Sequence, residues 1–426
     1  MRLRLQGATG VFTSVHTDSR EVLPGGLFFA LKGSTTDGAR FVPEAVAKGA
    51  TGVVVAEAMK IEGVEVVVVA DPWRTLYELA AARLAEANPL VVGVTGSNGK
   101  TSTKEMLAAV LGVRFTVLKT EGNLNTETGV PLTILRLEPG VHDALVLEMG
   151  MQGPGEIARL AALARPRIGV VTGVGTVHIE FFENQEGIAR AKAELVQALP
   201  ADGAAVLNAD DPSTALLGEL SAAPVTTFGL ESGDYRGEGY ASGAFTVRGV
   251  PVRISLPGRH QARNAVAALA AGELAGVPLA AGAEAIAAVT VERRLQALPA
   301  PGGFHVLDDA YNASPESMLA ALETVAELPH EGRLLAVLGE MRELGALADS
   351  AHREVGRRAK EVLDTFCVVD IGRGRLLAES GGGVLVPDRA AATEWVRRTA
   401  RPGDLVLVKA SHGVALEVVV EELLAR

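Results

Sequence analysis

A short apolar run, Leu90-Val91-Val92-Gly93-Val94, leads straight into Thr95-Gly96-Ser97-Asn98-Gly99-Lys100-Thr101, and this junction constrains the fold more than any other stretch of the chain. A buried strand, a glycine turn and Lys-Thr opening a helix make a phosphate cradle: backbone N–H groups and the helix N-terminus face the anion, and the lysine adds a point charge. Such a loop belongs at the carboxyl end of a parallel strand, which demands crossover helices and hence an α/β fold. Lys100 is read as the phosphate-binding cation and the Thr101 hydroxyl as a ligand for Mg²⁺. The first glycine of the generic pattern, expected six positions before the lysine, is Val94, so that pattern is met in part. The structural alternative is an ordinary strand-to-helix turn.

The chain has 426 residues, more than one core usually organises, and alternating signals divide it in three. Strands over 27–31, 52–56 and 64–69 with helices over 41–48 and from 73 predict a small α/β domain, 1–87, ending at the breaker Asn88-Pro89. Strands over 90–94, 144–147 and 168–171 and helices over 184–199 and 264–275 predict a central parallel-sheet domain, 88–297. Leu298-Pro299-Ala300-Pro301-Gly302-Gly303 reads as a linker, followed by a doubly wound, Rossmann-like domain over 298–426. The segment 221–250 gives no clear reading.

A net charge of -11 argues against a nucleic-acid or anionic-membrane partner held by bulk electrostatics. One cysteine, Cys367, excludes an internal disulfide framework and a Cys-based zinc site. No apolar run reaches membrane-spanning length, and Met1-Arg2-Leu3-Arg4-Leu5 lacks the core of a signal peptide. A soluble, unprocessed, cytoplasmic protein is expected.

Three further side chains bear on chemistry. Glu148 closes an apolar strand before Met149-Gly150, where an acid can hold Mg²⁺ beside a phosphate or simply cap a helix. His178 is open between a metal ligand and a satisfied buried histidine, and alone the second reading is better. Lys192 lies on the apolar stripe of Ile188 and Leu195, either snorkelling or buried, and periodicity alone favours snorkelling. Burial would lower its pKa and free the amine to react, for example with carbon dioxide.

The loop with Val94 in place of glycine resembles the ATP loop of the Mur ligase family. Longer stretches agree: Asp18-Ser19-Arg20, Gly122-Asn123-Leu124-Asn125, Asp308-Asp309-Ala310-Tyr311-Asn312-Ala313, and Leu338-Gly339-Glu340-Met341 with Glu343-Leu344-Gly345. Within the family they are similar to the branch that adds D-alanyl-D-alanine to UDP-N-acetylmuramoyl tripeptide for peptidoglycan synthesis. The resemblance implies an ATP-dependent ligase working through an acyl phosphate. Gly96 to Ser102, Asn264, Arg294, Asp309, Tyr311 and Asn312 would hold the nucleotide, with Lys100 and His178 in catalytic roles. Thr101, Glu148, His178 and a carbamylated Lys192 would bind two Mg²⁺ ions. Ser19 and Arg20 would meet the uridine diphosphate end, and Asn125 and Thr126 would contact the precursor further along. A monomer is expected. Departures from the family pattern are Thr126 for a second asparagine, Ser314-Pro315 for Asn-Pro, and Lys409-Ala410-Ser411-His412 for Lys-Gly-Ser-Arg. Competing readings are a sister ligase of the family, a folate polyglutamate ligase, or a non-enzymatic nucleotide-binding module.

Overall fold

The computed structural model describes residues 5, 9–33 and 35–425. Met1 to Arg4, part of the segment weighed above as a signal sequence, lie outside the described residues. Among the described residues no helix is long and apolar enough to cross a membrane.

The first sheet is wholly parallel, in the order β1 (Val15–His16), β2 (Gly26–Phe29), β3 (Ala50–Val55), β4 (Glu65–Val68). Its β2-to-β3 crossover carries α1 (Val42–Ala47), and α2 (Pro72–Ala87) follows β4 and leads the chain to the second sheet. Asp71 caps α2 by accepting from the Trp73 and Arg74 N–H groups, and Pro72 fills the first turn, where its missing N–H costs nothing. The helix stops at Asn88, which adopts the left-handed conformation, and Pro89 cannot continue it.

The second sheet holds β5 (Leu90–Thr95), β6 (Val117–Lys119), β7 (Ala144–Glu148), β8 (Ile168–Val171) and β9 (Ala204–Asn208). The stretch that gave no reading from sequence supplies much of its remainder: β10 (Val225–Gly229), β11 (Tyr235–Ala241), β12 (Ala244–Val247) and β13 (Val250–Arg253). Their short, half-exposed, glycine-interrupted runs carry little periodic signal. The order is β13-β12-β11-β10-β9-β8-β5-β7-β6, parallel except for the β11-β12-β13 meander. After β5 the chain builds β6 and β7 on one side, then β8 and β9 on the other, so the loop following β5 opens at the topological switch point where such sheets bind ligands. The helices here are α3 (Lys100–Leu111), α4 (Gly129–Leu135), α5 (Glu156–Ala164), α6 (Gln185–Gln197), α7 (Thr214–Glu219), α8 (Arg259–Leu274) and α9 (Leu279–Ile286). Alanines of α8 let it lie close on α3; a Cβ at Gly272 would fall 2.2 Å from Val110.

The third sheet has the order β14 (Gln296–Pro299), β15 (His305–Asp308), β19 (Leu405–Lys409), β16 (Leu334–Leu338), β17 (Thr365–Val369), β18 (Val384–Val386), with α10 (Pro315–Glu327), α11 (Ala348–Val362), α12 (Arg375–Gly381), α13 (Arg389–Thr399) and α14 (Glu417–Leu424). The expected linker at 298–303 is instead a hairpin. β14 pairs antiparallel with β15, and Ala300 N donates to Phe304 O at 2.9 Å across the turn. The prolines that read as linker are tolerated because β14 is an edge strand.

The apolar interior is partitioned differently from the sheets. One cluster runs from Phe29, Val54 and Leu76 into Ile134, Leu147 and Leu160, so the first and second sheets share a core through α2. The break at Asn88 thus separates sheets and not interiors. The two clusters of the third sheet, in contrast, contain only residues from Leu295 onward.

Candidate active site

The glycine loop is held from both flanks. Thr95 Oγ1 donates to Met149 O at 2.8 Å, Ser97 N donates to Gly173 O at 2.9 Å, and Gly175 N donates to Ser97 Oγ at 2.8 Å. The glycines are needed twice over. Gly96 has φ +149 and a Cβ there would sit 1.9 Å from Thr172 Oγ1; Gly99 has φ +83 and its Cβ would sit 2.4 Å from Asn264 Oδ1. Val94, where the generic pattern has glycine, is a fully buried residue of β5, paired in register with Glu148 of β7.

Lys100, first residue of α3, folds back so that Nζ donates to Gly96 O at 2.7 Å and Ser97 O at 3.2 Å. Burial lowers its pKa, Glu148 pulls it upward, and Arg294 lowers it. The hydroxyl of Thr101, the next residue, donates to Glu148 Oε2 at 3.0 Å, and Asn125 Nδ2 donates to Glu148 Oε1 at 2.7 Å. Ser102 is buried behind them.

Lys192 lies on α6, and its residue surface is 2% exposed. The snorkelling to the outer surface expected from periodicity is therefore wrong, because the α6 stripe of Ile188, Lys192 and Leu195 packs inward and the amine meets only the interior cleft. Burial, reinforced by Lys100, pushes its pKa well below the ordinary 10.5. His178 stands in the left-handed conformation at φ 67 and pairs through Nδ1 with Glu343 of the third unit. Burial lowers its pKa, Glu343 opposes the shift, and Lys100 and Lys192 add to it.

The third unit closes the far wall of a cleft of about 830 Å³, into which Lys100, Glu148, His178 and Lys192 all face. The Arg294 guanidinium stacks 4.1 Å from the Tyr311 ring, and Asp309 is held by Lys409 at 2.6 Å. Lys409 Nζ also donates to Asn312 O at 2.9 Å. Asn264, 7% exposed, donates to Gln261 Oε1 at 3.1 Å and borders the loop at Gly99. Thr126 also lines the cleft, with its hydroxyl 3.3 Å from that of Thr128. Ser19 and Arg20 are not among the lining residues: Ser19 donates to Glu44 at 2.6 Å and the exposed Arg20 pairs with Asp18.

Several residues escaped sequence reasoning. Lys104, wholly buried on α3, lies 3.6 Å from Glu148 Oε2, and its place in the apolar stripe with Leu107 and Leu111 was the available signal. Glu316 of α10 accepts from Thr176 N at 2.8 Å and Thr176 Oγ1 at 2.9 Å. Trp73 brings the first unit to the cleft. The departures also settle into contacts: Ser314 caps α10 and donates to Asn98 Oδ1 at 3.3 Å, and the His412 ring lies 6.2 Å from that of Tyr311.

Among the described residues no three His, Cys, Asp or Glu side chains converge into a ready-made metal cage. The donors present still suit Mg²⁺. Thr101 and Glu148 offer hard oxygens 3.0 Å apart, and Mg²⁺ beside a nucleotide takes one or two carboxylates together with phosphate oxygens. An unpartnered buried amine at Lys192 likewise fits a group that gains an acid function there.

A phosphate loop at the switch point of one sheet, walled by the strand ends of a second, defines a multi-unit nucleotide enzyme of the α/β class. Three family profiles match the sequence: the Mur ligase family catalytic domain over residues 11–124, the Mur ligase middle domain over 94–272, and the Mur ligase glutamate ligase domain over 293–412. The UDP-N-acetylmuramoyl-tripeptide–D-alanyl-D-alanine ligase of Mycobacterium tuberculosis is 38% identical over 97% of this chain and 92% of its own length. Among solved structures, MurF from Acinetobacter baumannii gives a TM-score of 0.88 at 29% identity, covering 98% of this chain and 95% of that one. The MurF ligase of Thermotoga maritima in complex with ADP gives 0.83 at 33%, covering 96% of each. The chain belongs to the Mur ligase family.

Proposed function

We propose that this chain joins D-alanyl-D-alanine to UDP-N-acetylmuramoyl tripeptide in an ATP-dependent, ADP-forming reaction of peptidoglycan synthesis. The observation that carries the reading is full-length similarity to ligases named for that reaction, joined to a complete phosphate loop facing a buried, unpartnered lysine. The unit of residues 1–87 would take the uridine diphosphate end through Ser19 and Arg20, 88–297 the ATP, and 298–426 the incoming dipeptide. Asn125 and Thr126 would guide the peptide of the precursor toward the loop. The chain is read as a cytoplasmic monomer, which light scattering checks.

The γ-phosphoryl group of ATP passes to the tripeptide's terminal carboxylate, the bond to ADP breaking as the acyl phosphate forms. The dipeptide amine then attacks the carbonyl carbon, loses a proton, and expels phosphate to leave the amide. Lys100 exchanges its loop carbonyls for phosphate oxygens, and the amides opening α3 add their partial charge where negative charge accumulates. Arg294 and Tyr311, stacked at the junction of the units, with Asp309, Asn312 and Asn264, orient the nucleoside. Thr101, Glu148, His178 and Lys192, the last as its carbamate, would hold two Mg²⁺ ions; when bound, these offset phosphate charge and polarise the transferring group. The neutral Lys192 amine adds to carbon dioxide with loss of one proton, and its depressed pKa supplies that neutral form. Docking of the third unit keeps water from the acyl phosphate.

Phosphate release from ATP, assayed with each substrate alone and with both, tests the reading. Release that requires both substrates, and collapses in Lys192→Ala despite added bicarbonate, is the expected result. Release with free amino acids but not with the dipeptide would transfer the assignment to a sister ligase.

A further inference from the structure

The Glu343-Leu344-Gly345 stretch has no part in the reaction as described, yet it is where the third unit meets the loop carrying His178. Three contacts converge there. Glu343 pairs with His178 Nδ1, the Glu180 N–H donates to Glu343 O at 3.4 Å, and the Gly345 backbone lies against Glu180, whose Cβ would be 3.3 Å from a Cβ added at 345. Both partners of the central pair, Glu343 at φ 62 and His178 at φ 67, occupy the left-handed region that side chains rarely adopt. Such conformations are unfavourable for side-chain-bearing residues and persist where surrounding contacts over-determine them. With Nδ1 engaged, Nε2 is the nitrogen left for another ligand. A histidine fixed on one nitrogen by a carboxylate presents the other in a set tautomer and direction.

We infer that Glu343 is the positioning residue for His178: reaching over from the third unit, it fixes the imidazole so that metal binding in the cleft is complete only when that unit is docked. This rests on the reading of His178 as a magnesium ligand. The same loop carries Gly173 and Gly175, which hold Ser97 of the phosphate loop, and Thr176, which is held by Glu316. The docked unit therefore grips at two points a segment that touches the nucleotide loop directly.

The test measures ADP binding to the full chain by calorimetry across a Mg²⁺ titration, a readout independent of turnover. Glu343→Ala should raise the Mg²⁺ concentration for half-maximal enhancement of ADP affinity about 10-fold or more. Glu343→Gln, which keeps size and an acceptor oxygen, should raise it less, and covers the case of a poorly folded alanine variant. His178→Ala should raise it comparably, and the double variant should lose no more than the worse single one. If His178→Ala shifts the titration while both Glu343 variants leave it at the wild-type value, the inference is overturned and the ligand reading stands. If neither position shifts it, both are overturned.

Discussion

Replacing Lys192 by methionine should make the protein more stable and nearly inactive. The side chain is buried and ion-paired to nothing, with Lys100 as its charged neighbour, whereas methionine keeps most of the buried stem and removes the polar end. An uncompensated buried polar group costs on the order of 2 kcal/mol. Its relief should raise the midpoint of the cooperative block formed by the first two sheets by about 3 °C. The sign of the pH dependence follows from the direction of the shift. The folded pKa lies below the unfolded value of 10.5, so between the two the unfolded chain binds more protons and wild-type stability rises with pH. The methionine variant lacks this contribution, so the gap between the two proteins should narrow as pH climbs toward 10.5. Differential scanning calorimetry in carbon-dioxide-free buffer reads the gap, and phosphate release reads the accompanying loss of at least about 100-fold in rate. A variant less stable than wild type, or a gap unchanged between about pH 7 and about pH 9.5, would refute the reasoning.

Gly99→Ala should weaken ADP binding about 10-fold or more, since φ +83 and the 2.4 Å approach to Asn264 both resist a Cβ; calorimetric affinity equal to wild type rules this out. Glu148→Gln should raise the Mg²⁺ requirement for ADP binding by about 10–100-fold, and an unchanged Mg²⁺ titration counts against the metal role. Lys409→Met strands the buried Asp309 carboxylate and should cost about 3–5 kcal/mol in denaturant unfolding. Adding Asp309→Asn should recover most of that loss, because the pair, 2.6 Å apart, would then be replaced whole.

The nucleotide loop was legible because its chemistry is local: strand, glycines, lysine and helix start lie within one short segment. Glu148 was legible from its position at a strand end. Lys192 was misjudged from periodicity because a helical stripe shows which face a lysine occupies and not whether its tip can reach water. The Glu343–His178 pair and the Glu316–Thr176 bonds join residues far apart in sequence, so no local pattern could announce them. The strands β10 to β13 were missed because short, half-exposed strands, the last three an antiparallel meander, take their order from neighbouring strands. The hairpin at residues 296–308 was mistaken for a linker because prolines on an edge strand look the same, in sequence, as prolines in a tether.

The shared interior of the first two sheets sets how the molecule should melt. A core continuous from Phe29 to Leu160 makes those sheets one cooperative block, while the third, with its own interior, joins them across the cleft through polar contacts. Two endotherms are therefore expected on heating, and amide exchange should open the strand ends around residues 309–316 before either block unfolds. A nucleotide touching both walls draws free energy from both blocks at once, so saturating ADP should pull the two transitions together.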